Sequence, residues 1–204
     1  MARGPSYRLS SEAIRDQALF AAGLLVEKIG GPSVKPWQPP GVWSEAGASG
    51  GDYKPDTGEG LYRRSIYRYI KRTAPPPMMI TLDAGSREIC QPRRLSTNTP
   101  LQPLIFLNDQ GFFECARKLT DRCIAETPES PAAQFTHAFQ ILTCRPPRDG
   151  ELKALEELYA SQLARYQKDP VATRSVSGGE GPHRAALTTL CSTLLTSDAV
   201  ITNR

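Results

Sequence analysis

The chain has 204 residues, enough for one domain with a sizeable core or for one core and a small satellite. Its formal charge of +4 and pI of about 8.9 are too mild a bias for a dedicated nucleic-acid domain. No stretch reaches the roughly 18 to 20 apolar residues of a membrane span, and Met1-Ala2-Arg3-Gly4-Pro5 lacks the apolar core of a signal peptide.

The first element is predicted from Ser11 to Ile29. Ser10 stands at its cap, Glu12 in its positive first turn, and Gly30-Gly31-Pro32 at its end. Ile14, Ala18, Ala21, Ala22, Leu25 and Ile29 recur at helical spacing and define a buried face. From Gly30 to Gly60 the chain is rich in Gly, Ser and Pro, and Pro36, Pro39 and Pro40 favour extended backbone. Trp37 and Trp43, the chain's two tryptophans, lie in this loop, either pinning it to the core or offering a stacking surface.

In residues 61–71 Tyr and Ile favour a strand, while Leu61, Ser65 and Tyr69 would share a helical face; of the two, a helix is expected there. Residues 78–82 read as a short strand after Pro75-Pro76-Pro77. Thr99-Pro100 opens a short helix to about Leu107, and Asp109 caps another through about Glu126. Further helices are expected over about Ala132–Thr143, from a cap at Asp149 to about Lys168, and over His183–Leu195, with a Gly-rich link from Ser175 to Gly181. The fold class is therefore mainly α: an irregular helical domain with long Pro/Gly-rich loops, room for a short β ribbon, and a C-terminal helical hairpin plus closing helix. Residues 1–127 form a Pro/Arg-rich half and residues 128–204 a helical subdomain of one domain.

Standard catalytic templates do not match. His137 and His183 sit in no ligand spacing, no G-x-S-x-G elbow is present, and the Gly-rich stretches fit neither a P-loop nor a dinucleotide fingerprint. The five cysteines (90, 115, 123, 144, 191) form no zinc spacing. Cys115 and Cys123, about 12 Å apart along one helix, are too distant for a disulfide. What remains is the basic middle: Arg63, Arg64, Arg68, Lys71, Arg72, Arg87, Arg93 and Arg94 against Asp83 and Glu88. Guanidinium groups suit bidentate contacts with carboxylate, sulfate or phosphate. Arg63, Arg64, Arg72, Arg87, Arg93 and Arg94, with Asp83 or Glu88 as acid or base, are the candidate anion pocket. The competing reading is internal, with the same arginines tying irregular loops together through carbonyls, Asp83, Glu88 and Asp109.

The ordered runs RLSSEAIRDQAL (8–19), GGPSVKPWQPPGVW (30–43), YRRSIY (62–67), KRTAPPP (71–77), REIC (87–90) and RLSTNTPLQ (94–102) resemble the C-terminal planctomycete secreted domain. LND (107–109) and RPP (145–147) continue the likeness, while Tyr69-Ile70, Gly85 and Gln110 depart from the family's usual Phe-Trp and prolines. The resemblance implies a piece of a larger exported protein with a c-type haem module upstream; no cofactor is expected on this chain itself. It supplies no catalytic residues. The leading expectation is a non-catalytic interaction or scaffold domain contacting the upstream domains of an extracytoplasmic, haem-linked parent. The alternative is binding or processing of an anionic polysaccharide, with Trp37 or Trp43 stacking on sugar rings. Nucleic acid ranks last, since Glu151, Glu156 and Glu157 leave the C-terminal half without a matching basic face.

Overall fold

The computed structural model describes residues 6–47, 52–85, 87, 90 and 92–203. As expected, the architecture is mainly helical. Helix α1 spans Ser11–Ala21, and the Ser10 hydroxyl accepts the Ala13 amide at its start. It stops well short of Ile29. Gly23, at φ 69°, turns the chain, the amides of Leu24 and Leu25 both donate to the Leu19 carbonyl, and Val26 forms a bridge with Arg63. Glycine enters this left-handed conformation without steric cost, so the break falls there. Ile29 is consequently 90% exposed and not part of the buried face.

The described residues of 24–76 hold only α2 (Val42–Glu45), two 3₁₀ turns (Gly58–Leu61 and Ser65–Tyr67) and isolated bridges from Val26 to Arg63 and Val34 to Arg68. The helix expected over 61–71 does not form. Its carbonyls at Leu61 and Arg63 accept from the Arg15 side chain, and the Ser65 amide donates to Asp16. Partners on α1 thus replace the bonds that a helix would have made. The strand expected over 78–82 is also a helix, α3 (Pro77–Thr81), with Pro77 in the first turn and Met78 and Met79 buried.

The remaining helices are α4 (Leu101–Asn108), α5 (Gln110–Glu126), α6 (Pro131–Thr143), α7 (Asp149–Lys168), α8 (Pro170–Ser177), α9 (Pro182–Leu195) and α10 (Asp198–Ile201). Asp109 caps α5 by accepting the Gly111 and Phe112 amides, and Ser130 caps α6 through Ala133. Asp149 is the first residue of α7, whose cap position is Arg148. Helix α8 takes the first three residues, 175–177, of the expected Gly-rich link; Asp169 caps it and Gly178 at φ 73° ends it. The one ribbon among the described residues joins the two ends of the chain: β1 (Tyr7–Arg8) pairs antiparallel with β2 (Thr202–Asn203).

Helix α9 occupies the centre. Ten of its fourteen residues are buried, and it packs against α5, α7 and α8. The main core gathers Ile14 and Ala18 of α1, Met79 of α3, Phe106 of α4, Leu119 of α5, Phe139 of α6 and Leu190 of α9. No described helix is long and apolar enough to cross a membrane.

All five cysteines are free thiols; Cys115, Cys123 and Cys191 are buried, and Cys90 and Cys144 exposed. Burial disfavours the thiolate, pushing Cys115 and Cys191 up to about 12 and Cys123 upward as well. Titration of the native protein with a thiol reagent near pH 8 should therefore modify two cysteines rapidly, Cys90 and Cys144. The other three should react only in denaturant; rapid native labelling of all five would contradict this packing.

Candidate functional site

The arginines singled out in the sequence take three different roles. Arg63 is internal. Buried at 4% exposure, it donates to the carbonyls of Lys28, Gly30 and Pro32 and stacks its guanidinium 4.1 Å from the Tyr67 ring centre. Arg64 points elsewhere and pairs loosely with Glu27 at 3.7 Å, both half-exposed. Arg93 is exposed and lines none of the cavities described below.

Arg72, Arg87 and Arg94 do converge. They line an open groove of about 700 Å³ together with Arg68, Glu12 and an apolar floor of Ile66, Ile70 and Met79. Among the described lining residues, Glu12 is the single carboxylate. Arg94 donates to it at 2.7 Å, and the Ser11 hydroxyl at 3.1 Å. Burial alone would raise Glu12, but these bonds and its own backbone amide hold it below the ordinary carboxylate range. It stays ionised and engaged, which leaves the other guanidinium groups of the groove in excess among the described residues. Glu88, the other candidate acid, lies outside the described residues.

Asp83 organises the loop. In the left-handed region at φ 63°, it accepts the Thr97 amide at 2.7 Å, the Thr97 hydroxyl at 2.8 Å and the Gln102 side-chain amide at 3.3 Å. Aspartate tolerates this backbone better than most residues because its short side chain bonds locally. These bonds place Asp83 at the anchor of the 83–102 loop.

The tryptophans do not flank the groove. Trp43 is buried against Tyr53 and Tyr69, with the Lys71 ammonium 4.2 Å from its ring centre. Trp37 is half-buried and lines a second, smaller cavity between α1, α5 and the irregular segment.

That smaller cavity contains Arg15, which the sequence reading passed over, together with Arg68 and Asp109, which it named but did not place in the candidate pocket. Arg15 lies on the buried face of α1, one residue after Ile14, and that position was the available signal. A charged residue on an apolar stripe requires partners inside the fold. For Arg68 no such signal exists. Its burial, at 5% exposure, arises from packing of the irregular segment. Its Nε and Nη1 have no hydrogen-bond partner. Burial, reinforced by neighbouring Arg15, draws Arg68 down to about 10, with Tyr53 and Asp109 opposing the shift. Among the described residues, no group of histidine, cysteine and carboxylate side chains is assembled that could hold a metal ion.

The family model described as "PSD1: Protein of unknown function (DUF1553)" matches residues 1–159. The matched segment contains both cavities' described lining residues and stops within α7. No curated protein and no solved structure matches the chain.

Replacing Arg63 with alanine would strip three carbonyls of the exposed 28–32 loop of a charged donor and remove the Tyr67 stack. A loss of about 1.5 to 3 kcal/mol in urea unfolding is expected, the range for hydrogen bonds made by a charged group. A loss below about 1 kcal/mol, the range of an exposed arginine, would refute the internal role.

Proposed function

The chain belongs to the PSD1 family of proteins of unknown function (DUF1553), and from that premise we propose that it is a non-catalytic binding domain for an anionic polysaccharide. The observation that carries this reading is the convergence of Arg72, Arg87 and Arg94 on one groove whose single described carboxylate is already paired. Guanidinium groups in excess over carboxylates attract sulfate or carboxylate substituents and orient them through forked hydrogen bonds. Ile66, Ile70 and Met79 add apolar surface against which the faces of sugar rings can lie. A binding role is favoured over a catalytic one because Glu12 is held ionised by Arg94 and Asp83 is engaged with Thr97 and Gln102. Neither is placed as a proton donor.

The wider setting is part of the same proposal. The motif resemblance supports an exported parent carrying a c-type haem module, in which this domain contacts upstream domains and holds a surface polymer nearby.

A bound ligand stabilises the folded state by mass action. Sulfated and uronic-acid oligosaccharides are therefore expected to raise the melting temperature at low salt, and neutral oligosaccharides of equal length to leave it unchanged. The shift should shrink with added salt, since the groove is open to solvent. Arg72→Gln and Arg94→Gln should each reduce it. Equal shifts with single-stranded DNA would replace a polysaccharide-specific site with general polyanion attraction, and an unchanged melting temperature with every sugar would remove the proposal.

A further inference from the structure

The cavity between α1, α5 and the irregular segment is partly open and has a volume of about 160 Å³. Leu19, Leu61, Met78 and Phe112 make its walls apolar. Five acidic or basic side chains reach the lining: Arg15 and Arg68, against Asp56, Asp109 and Glu114. Four of the five have hydrogen-bond partners within the protein. Arg15 donates to the carbonyls of Leu61 and Arg63 and to the Ser65 hydroxyl. Glu114 accepts the Tyr62 hydroxyl at 2.7 Å, and Asp56 accepts the Lys35 amide at 2.7 Å.

Arg68 and Asp109 are different. Arg68 is 5% exposed, yet its Nε and Nη1 bond to nothing, and it makes no ion pair among the described residues. Asp109 caps α5 through one oxygen alone. Its Oδ1 takes both the Gly111 and Phe112 amides, while Oδ2 has no partner among the described residues. Burial pushes Asp109 upward against the pull of these amides and of Arg68 and Arg15. A buried cation and a partly buried anion thus line the same apolar space, with no ion pair between them among the described residues. A buried guanidinium in that condition carries a large desolvation cost unless something pairs with it.

We infer that this cavity is a binding site for a small α-amino acid with a branched apolar side chain, whose carboxylate meets Arg68 and whose ammonium meets Asp109. The charge of the lining selects this class. A simple carboxylate would satisfy Arg68 but face Asp56, Asp109 and Glu114. A simple amine would satisfy Asp109 but face Arg68. A zwitterion compensates both groups at once, and the forked guanidinium matches a carboxylate. The size agrees, since an apolar cavity of about 150 Å³ holds a body as large as benzene. The site shares Arg68 with the arginine groove and is distinguished from it by Asp109, which does not line that groove.

The test is calorimetric titration of the full chain with three probes sharing one branched body: L-leucine, 4-methylpentanoate and 3-methylbutylamine. Leucine is expected to bind at least about tenfold more tightly than either singly charged probe, a tenfold ratio being the smallest that marks a separate polar contact. Asp109→Asn keeps a good helix cap and should weaken leucine about tenfold or more while leaving binding of 4-methylpentanoate unchanged or tighter, since it removes a carboxylate that the probe's own carboxylate faces. Arg68→Met should abolish leucine binding without lowering the melting temperature of the free protein, because it removes an unpaired buried charge. Arg72→Gln, in the groove, should leave leucine binding unchanged. No leucine binding, equal binding of 4-methylpentanoate, or leucine binding that survives Asp109→Asn would overturn the inference. So would a lowered melting temperature with intact binding in Arg68→Met, which would assign Arg68 to structure alone.

Discussion

The fold depends on guanidinium groups that take the place of secondary structure. The described residues of 24–76 contain one four-residue helix and two 3₁₀ turns, so most of their backbone polar groups have no regular ladder to join. Buried carbonyls without donors would make such a segment untenable inside a protein. Arg15, projecting from α1, takes the carbonyls of Leu61 and Arg63, and Arg63 in turn takes those of Lys28, Gly30 and Pro32. The two residues form a relay: one binds the backbone of the other, which binds the next loop. Remove the first, and the second loses its mooring.

This relay also decides where ligand chemistry can occur. Arginines recruited by carbonyls are lost to any ligand, and those on the far side of the same segment are left over. Arg72, Arg87 and Arg94 gather in the groove because their own stretches of chain are held in place by others, including the Asp83–Thr97 anchor of the 83–102 loop. Arg68 stands between the two regimes. It lines both the groove and the inner cavity, packed by the segment and provided with no carbonyl.

Much of the helical framework was readable from local chemistry. Ser10, Asp109 and Ser130 stand at helix starts where short polar side chains accept exposed amides. The errors share a cause. Helix α1 was extended past Gly23 on the strength of its apolar period, and 61–71 was read as helical from the spacing of Leu61, Ser65 and Tyr69. In both places the outcome was set by hydrogen bonds to residues distant in sequence. Helix α8 was missed for a local reason: its polar composition and the glycines beyond Ser177 outweighed Asp169-Pro170, a cap followed by proline.

The candidate site divides in the same way. The amino-acid sequence alone determined that the chain is mainly helical, that its middle is rich in arginine, and that anions are the chemistry those side chains could address. Those properties follow from periodicity, capping and side-chain charge, which act over a few residues. Only the tertiary structure decided that Arg63 serves carbonyls, that Trp43 packs inside, and that Arg68 and Asp109 line one cavity with no ion pair between them among the described residues. Each of those outcomes depends on burial, and burial is set by what the rest of the chain brings alongside.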